Sequence, residues 1–183
     1  MFTHDVELGL QAAADLVNTG PGASASGRDE LATREELDAW FRREGFTGPR
    51  RRDAGELAGV RALRERIDAL WSADEAAAVT EVNRMLVDGH ALPQLVDHDG
   101  VGLHIHATRD DAPFEDRAMV EFAMAWLDVL RQGEHARLKR CEADDCTAVL
   151  VDSSRNRSKR FCDVGNCGNR MNVRAFRARA AEA

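Results

Sequence analysis

Cysteine is missing from the first 140 residues of this 183-residue chain; all four cysteines lie between positions 141 and 167. Lysine and arginine are missing from Met1 to Gly20, which carry Asp5, Glu7 and Asp15 instead. That charge is wrong for a secretory signal or a transit peptide. No apolar run approaches the length that spans a bilayer. Internal repeats, a glycine-rich phosphate loop, an HExxH motif and a nucleophile with a base at readable spacing are likewise missing, so no enzyme is expected. The expected setting is the cytoplasm, where thiols stay reduced and paired cysteines more often mean metal than disulfide.

With 44% apolar and 31% charged residues, the chain reads as soluble and globular. Its length suits one domain, or a domain plus a small appendage, with a real core. The net charge of −7 hides an asymmetry. Residues 137–183 hold 11 Lys+Arg and 6 Asp+Glu, a balance of +5, whereas residues 1–136 hold 14 and 26, a balance of −12. A basic tail on an acidic body points to an anionic partner at the tail, and the body would repel that partner elsewhere.

Most of the body has helical periodicity. Val6, Leu10, Ala13 and Val17 share a face over Asp5 to Val17. Thr19 to Gly27, rich in Gly, Ser and Ala, is a loop. Thr33 and Glu36 fit a capping box that opens a helix with Leu37, Trp40 and Phe41 inward, and Gly45 is its stop. Asp53 and Glu56 open the next helix, with Leu57, Val60, Leu63, Ile67 and Leu70 on its stripe. Ser72 is the expected cap of a further helix through Val79, Val82 and Leu86 to about Gly89. Pro93 to Val96 and Val101 to Ala107 then alternate around His98-Asp99-Gly100, which predicts a β-hairpin near 93–107. A long helix is expected from about Asp116 to Leu138, with Val120, Ala123, Met124, Leu127 and Leu130 inward.

Cys141, Cys146, Cys162 and Cys167 form two C-x4-C pairs separated by fifteen residues. Two close pairs joined by a short loop suit one tetrahedral four-thiolate zinc ion, with Zn–S bonds of about 2.3 Å. Four protein ligands close the coordination shell, so the zinc would be structural. Two disulfides or reduced core thiols fit the compartment less well, and an iron–sulfur cluster shares the ligand set. Thr147 to Val151 reads as a short β run, Asp152 to Asn156 as a turn, and Asn166 or Cys167 as the start of a helix reaching about Ala181. Thiolate at that helix N-terminus is favoured by the helix dipole.

Cys162 and Cys167-Gly168-Asn169-Arg170, with Asp152-Ser153-Ser154-Arg155-Asn156-Arg157-Ser158 before them, resemble the CGNR zinc-finger family. Asp15-Leu16-Val17-Asn18-Thr19 is similar to a signature near the start of the helical ABATE domain that commonly precedes that finger. The resemblance implies a bacterial regulator of transcription, zinc-bound through its four cysteines. The expected fold is therefore mainly α with a small β-hairpin. A helical ABATE-like domain over 1–138 precedes a treble-clef-like module (knuckle, β-hairpin, helix) over 139–183.

Arg155, Arg157, Lys159 and Arg160 precede the second cysteine pair, and Arg170, Arg174 and Arg177 line one face of the last helix. These cations can neutralise phosphates, Ser153, Ser154 and Asn156 can add hydrogen bonds, and Asn169 or Arg174 can reach base edges of duplex DNA. The competing reading gives the same arginines to the dianionic zinc–thiolate centre and the acidic body, with Arg170 bracing the knuckle. The body would sense a small-molecule effector or form a homodimer. In the alternative function, the chain is a small-ligand-binding or protein-interaction module with a purely structural zinc. Asn18, Thr19, His104 and His106 are its candidate pocket residues; the two histidines share a strand face and are also candidates for a second metal site.

Overall fold

The computed structural model describes residues 2–97 and 103–181. Among them are six α-helices and two antiparallel two-stranded sheets, arranged as a helical body followed by a cysteine-bearing module. The body comprises α1 (His4–Asn18), α2 (Arg34–Arg43), α3 (Ala54–Leu70), α4 (Glu75–Asp88), the hairpin β1 (Gln94–Asp97) and β2 (Leu103–His106), and α5 (Phe114–Arg131). The module comprises β3 (Leu138–Arg140), β4 (Val149–Val151) and α6 (Cys167–Ala181).

Side-chain caps set several helix starts. Thr33 and Glu36 close the capping box of α2, and Asp53 accepts the Glu56 N–H at the head of α3. The cap of α4 is Asp74, not Ser72. Ser72 still belongs to the turn that ends α3, and its hydroxyl is engaged by Arg140 at 2.7 Å. On α4 the buried positions are Ala78, Val82 and Met85, while Val79 is exposed. α4 meets α5 along the stripe that has the small Ala78 innermost, which turns Val79 outward.

The core lies where α1, α3, α4 and α5 meet, around Leu10, Leu16, Ile67, Met85, Phe122 and Trp126. Beside it, Arg50 and Glu56 form a buried ion pair, with the Arg50 guanidinium 4.5 Å from the Phe41 ring centroid. Burying one of these charges without its partner would cost several kcal/mol, roughly 3–5.

The expected long helix ends at Arg131, seven residues early. Gly133 adopts a φ of 66°, a left-handed conformation that glycine enters without a Cβ clash, and the chain leaves the helix there. After a short 3-10 turn, Leu138 is the first residue of a strand. Leu138, Lys139 and Arg140 pair with Val151, Leu150 and Val149. The Cys141–Cys146 knuckle is therefore the turn of this hairpin, rather than a separate feature before it.

In the body hairpin, Leu95 faces Ile105 and Val96 faces His104 across the strands. The expected His98-Asp99-Gly100 turn lies outside the described residues.

The module is seated on the body. Leu138, Val149 and Val151 join the body core. The Asn18 side chain accepts the Val149 N–H at 2.8 Å and donates to the Val149 carbonyl at 3.0 Å. Arg140 reaches Asp68 at 2.9 Å, and the Thr147 N–H donates to the Gly22 carbonyl at 3.2 Å. Gly22 has a φ of 85°, and a Cβ there would stand 3.0 Å from the Thr147 hydroxyl.

Candidate metal centre and nucleic-acid interface

The two ends of the cysteine constellation come from different local structures. The Cys141 N–H donates to the Ala148 carbonyl and the Cys146 N–H to the Ala143 carbonyl, which folds the knuckle and turns both thiols inward. Cys162 ends the 152–161 loop, and Cys167 is the first residue of α6. Asn166, at a φ of 50°, sets the helix entry, and its carbonyl accepts the Arg170 N–H. Asparagine tolerates this conformation better than most residues.

All four sulfurs lie within 4.8 Å of one another. Cys162 Sγ stands 3.6 Å from both Cys146 Sγ and Cys167 Sγ. Four Zn–S bonds of about 2.3 Å in a tetrahedron place sulfurs about 3.8 Å apart, so the cluster fits one zinc ion. Cys141, Cys162 and Cys167 are buried and Cys146 is half-buried. Burial pushes the Cys146 and Cys162 thiols up from their ordinary pKa. Ionising these two thiols in place therefore calls for a cation beside them. Burial also opposes the Cys167 thiolate, yet Arg170 and the neighbouring sulfurs hold that thiol below its ordinary pKa. Arg170 donates to Cys167 Sγ at 3.2 Å and the Cys162 N–H donates to Cys141 Sγ at 3.4 Å.

The loop between the cysteine pairs is organised by Asp152, whose side chain is fully buried. Its carboxylate accepts from Lys139 Nζ at 2.6 Å, the Ser154 hydroxyl at 2.6 Å and the backbone N–H groups of Ser154 and Lys159, both at 2.9 Å. Burial alone would raise this carboxyl, but the four donors hold it at about 2. From its sequence neighbours, Asp152 is only a turn residue. The Asp-Ser-Ser run is the local signal for this self-bonding turn, and Lys139 is the partner that spacing does not reveal. Ser154, expected to serve phosphate, is instead held by Asp152 and by the Ser158 N–H.

The candidate nucleic-acid residues divide into two groups. Arg157 pairs with Glu134, Lys159 with Asp163, Arg160 with Glu142, Arg170 with Asp145 and Arg174 with Asp144. Arg155 on the loop and Arg177 on α6 are exposed and form no ion pair among the described residues, and Asn169 is exposed on α6. Arg179, which helical spacing alone does not place with the candidate cations, shares that freedom on the same helix. Arg170, Arg174 and Arg177 still line one side of α6, around a shallow groove that Asn169 and Val173 complete.

The candidate pocket residues do not converge in this way. Asn18 is committed to Val149, while the Thr19 hydroxyl donates to the Leu16 carbonyl at 2.6 Å and accepts from Arg64 at 3.1 Å. Both are buried, Asn18 in the seam between body and module and Thr19 among body residues. His104 and His106 lie on β2, opposite Val96 and Gln94. Among the described residues the four cysteines are the only group of His, Cys, Asp and Glu gathered for a metal.

A helical body carrying a four-cysteine finger defines the class as a zinc-finger protein. Residues 10–133 match the ABATE family, described as "Putative stress-induced transcription regulator", and residues 137–180 match the CGNR zinc finger. The chain belongs to the ABATE family and carries a CGNR zinc finger after that domain. No curated protein matches it. No helix among the described residues is long and apolar enough to cross a membrane.

Proposed function

We propose that this zinc-binding regulator contacts duplex DNA through its zinc module, with the body sensing an effector or mediating association. The observation that carries this reading is the arginine face of α6. Arg170, Arg174 and Arg177 point the same way on a helix exposed from Asn172 to Ala180, within a 137–183 segment of charge +5. The surface ion pairs that hold Arg170 and Arg174 are worth roughly 0–1 kcal/mol each, so phosphates can displace the carboxylates. Arg155 and Arg177 need no displacement. The zinc serves to hold α6 and the loop in place; with four thiolates filling its shell, it leaves no position for substrate, and the chain is read as a non-enzyme working in a reducing compartment.

The test is fluorescence anisotropy on a mixed-sequence DNA duplex across a salt series. Wild type should bind at low salt and weaken steeply as salt rises. Arg174→Ala with Arg177→Ala should shallow the slope of log K against log salt by about 2, one unit for each phosphate no longer neutralised. No binding at low salt, or an unchanged slope in the double variant, would overturn the proposal. The protein-interaction reading draws support from the five ion pairs, which give a structural role to most of the candidate cations.

A further inference from the structure

Two exposed apolar surfaces are left without partners. One is on α6, where Val173 is 40% and Phe176 66% exposed. Positions 173, 176 and 180 follow the i, i+3, i+7 spacing of a helix-pairing seam. A projecting half-helix of nine residues gains little stability by itself, since isolated helices shorter than about 12 residues are marginal in water. The other surface is on the body. A shallow groove of about 340 Å³ runs between α4 and α5, lined by Leu86, Val87, His90, Pro93, Met124 and Leu127. The exposed Leu92, Leu95, Leu103 and Ile105 extend apolar surface from the same stretch of chain into the hairpin.

We infer that the apolar seam of α6 docks into the α4–α5 groove of a second copy of this chain, and reciprocally, as an arm-exchanged dimer. Charge selects this occupant. The seam is flanked by Arg170 and Arg177 on one side and Arg179 on the other, so two α6 helices laid together would oppose like charges. The body carries −12, and the segments framing the groove carry Asp88, Asp97 and Asp128 against Arg84 and Arg131. Arg84 is already held by Glu81 and Asp88 by Arg66, which leaves Asp97 and Asp128 against Arg131. A basic-flanked seam therefore meets an acidic-framed groove. One arm alone would bury less than the roughly 800 Å² per partner of a standard interface, so the reciprocal second arm is needed, which closes the assembly as a two-fold dimer. Docking on Val173 and Phe176 takes Val173 from the arginine groove but leaves Arg174, about 100° around the helix from Val173, open.

The experiment is sedimentation equilibrium on the full zinc-loaded chain. Wild type should be a dimer. Phe176→Asp and Val87→Lys, both at exposed positions, should each raise the dimer dissociation constant about 30-fold or more, with unchanged circular dichroism and zinc content. A mixture of the two variants retains one intact arm-in-groove contact and should associate more tightly than either variant alone. A monomeric wild type overturns the inference. So does a dimer insensitive to Phe176→Asp, which would be joined through its hairpins, or one insensitive to Val87→Lys, which would be joined helix to helix. A mixture no tighter than its components overturns it as well.

Discussion

Asn18 presents a side-chain amide to β4 as if it were one more peptide group. Its oxygen accepts the Val149 N–H and its nitrogen donates to the Val149 carbonyl, both in a buried seam. No other residue type of that size offers a donor and an acceptor in this order. Asn18→Ala should cost about 2–3 kcal/mol, because it strands two buried backbone groups. Asn18→Asp should also destabilise, since it removes the donor. Urea denaturation of the zinc-loaded protein reads both. Asp29 makes a different kind of bridge, bidentate to the buried Arg64 at 2.7 and 2.8 Å. Those bonds hold the Asp29 carboxyl at about 2, below its ordinary 3.8. A depressed carboxyl contributes its stability above the unfolded value and loses it as pH falls through the folded one. The shift corresponds to about 2 kcal/mol. Asp29→Asn should therefore be less stable than wild type by roughly that amount at pH 6, with the two converging as pH falls from about 4 to 2. A difference that persists at pH 2 would mean that the carboxylate charge is not its source.

Among the elements, those built from neighbours in sequence are legible and those built from distant partners are not. The Thr33–Glu36 box, the Asp53 cap, the cysteine spacing and the start of α6 are all local signals, and each is found where the sequence puts it. The knuckle's place as the turn of β3–β4 is hidden, because the helical pattern read through to Leu138 runs past Gly133, where the chain leaves the helix. The ion pairs that occupy the module's cations are hidden for the same reason: Asp144, Asp145 and Glu142 become partners only once the knuckle folds back toward α6 and the loop. The seating of β4 on the body has a consequence for metal removal. Chelation, or Cys162→Ser, should unfold α6 and the knuckle while α1 to α5 keep most of their helicity. It should also disturb Trp71, whose indole N–H donates to the Leu150 carbonyl at 3.4 Å and whose ring meets Trp126 at 5.1 Å. The expected readout is a red shift in tryptophan emission with far-UV circular dichroism largely retained. Unchanged module structure in metal-free protein would refute a structural role for zinc.

Across the whole molecule, negative charge accompanies the basic face closely. The knuckle between the first two cysteines holds Glu142, Asp144 and Asp145, and each faces an arginine that would otherwise be open to phosphate. Asp145 and Arg170 meet in two bonds of 2.7 and 3.0 Å, and Arg170 is further tied to the Gly165 carbonyl and to Cys167 Sγ. That anchoring keeps Arg170 oriented even without its carboxylate. Arg174 has only Asp144, at 3.2 Å, with both side chains largely exposed. Under the proposed DNA contact, the two aspartates compete with phosphate for these arginines and would lower affinity without shaping the site. Asp144→Asn with Asp145→Asn raises the module's charge by two while leaving the metal ligands and the arginines in place. Binding of a DNA duplex should strengthen several-fold at low salt. The gain should shrink as the Debye length falls toward about 8 Å at physiological ionic strength, since the removed repulsion is itself screened. An affinity that falls on neutralising the knuckle would show instead that the aspartates hold the arginines in their binding posture.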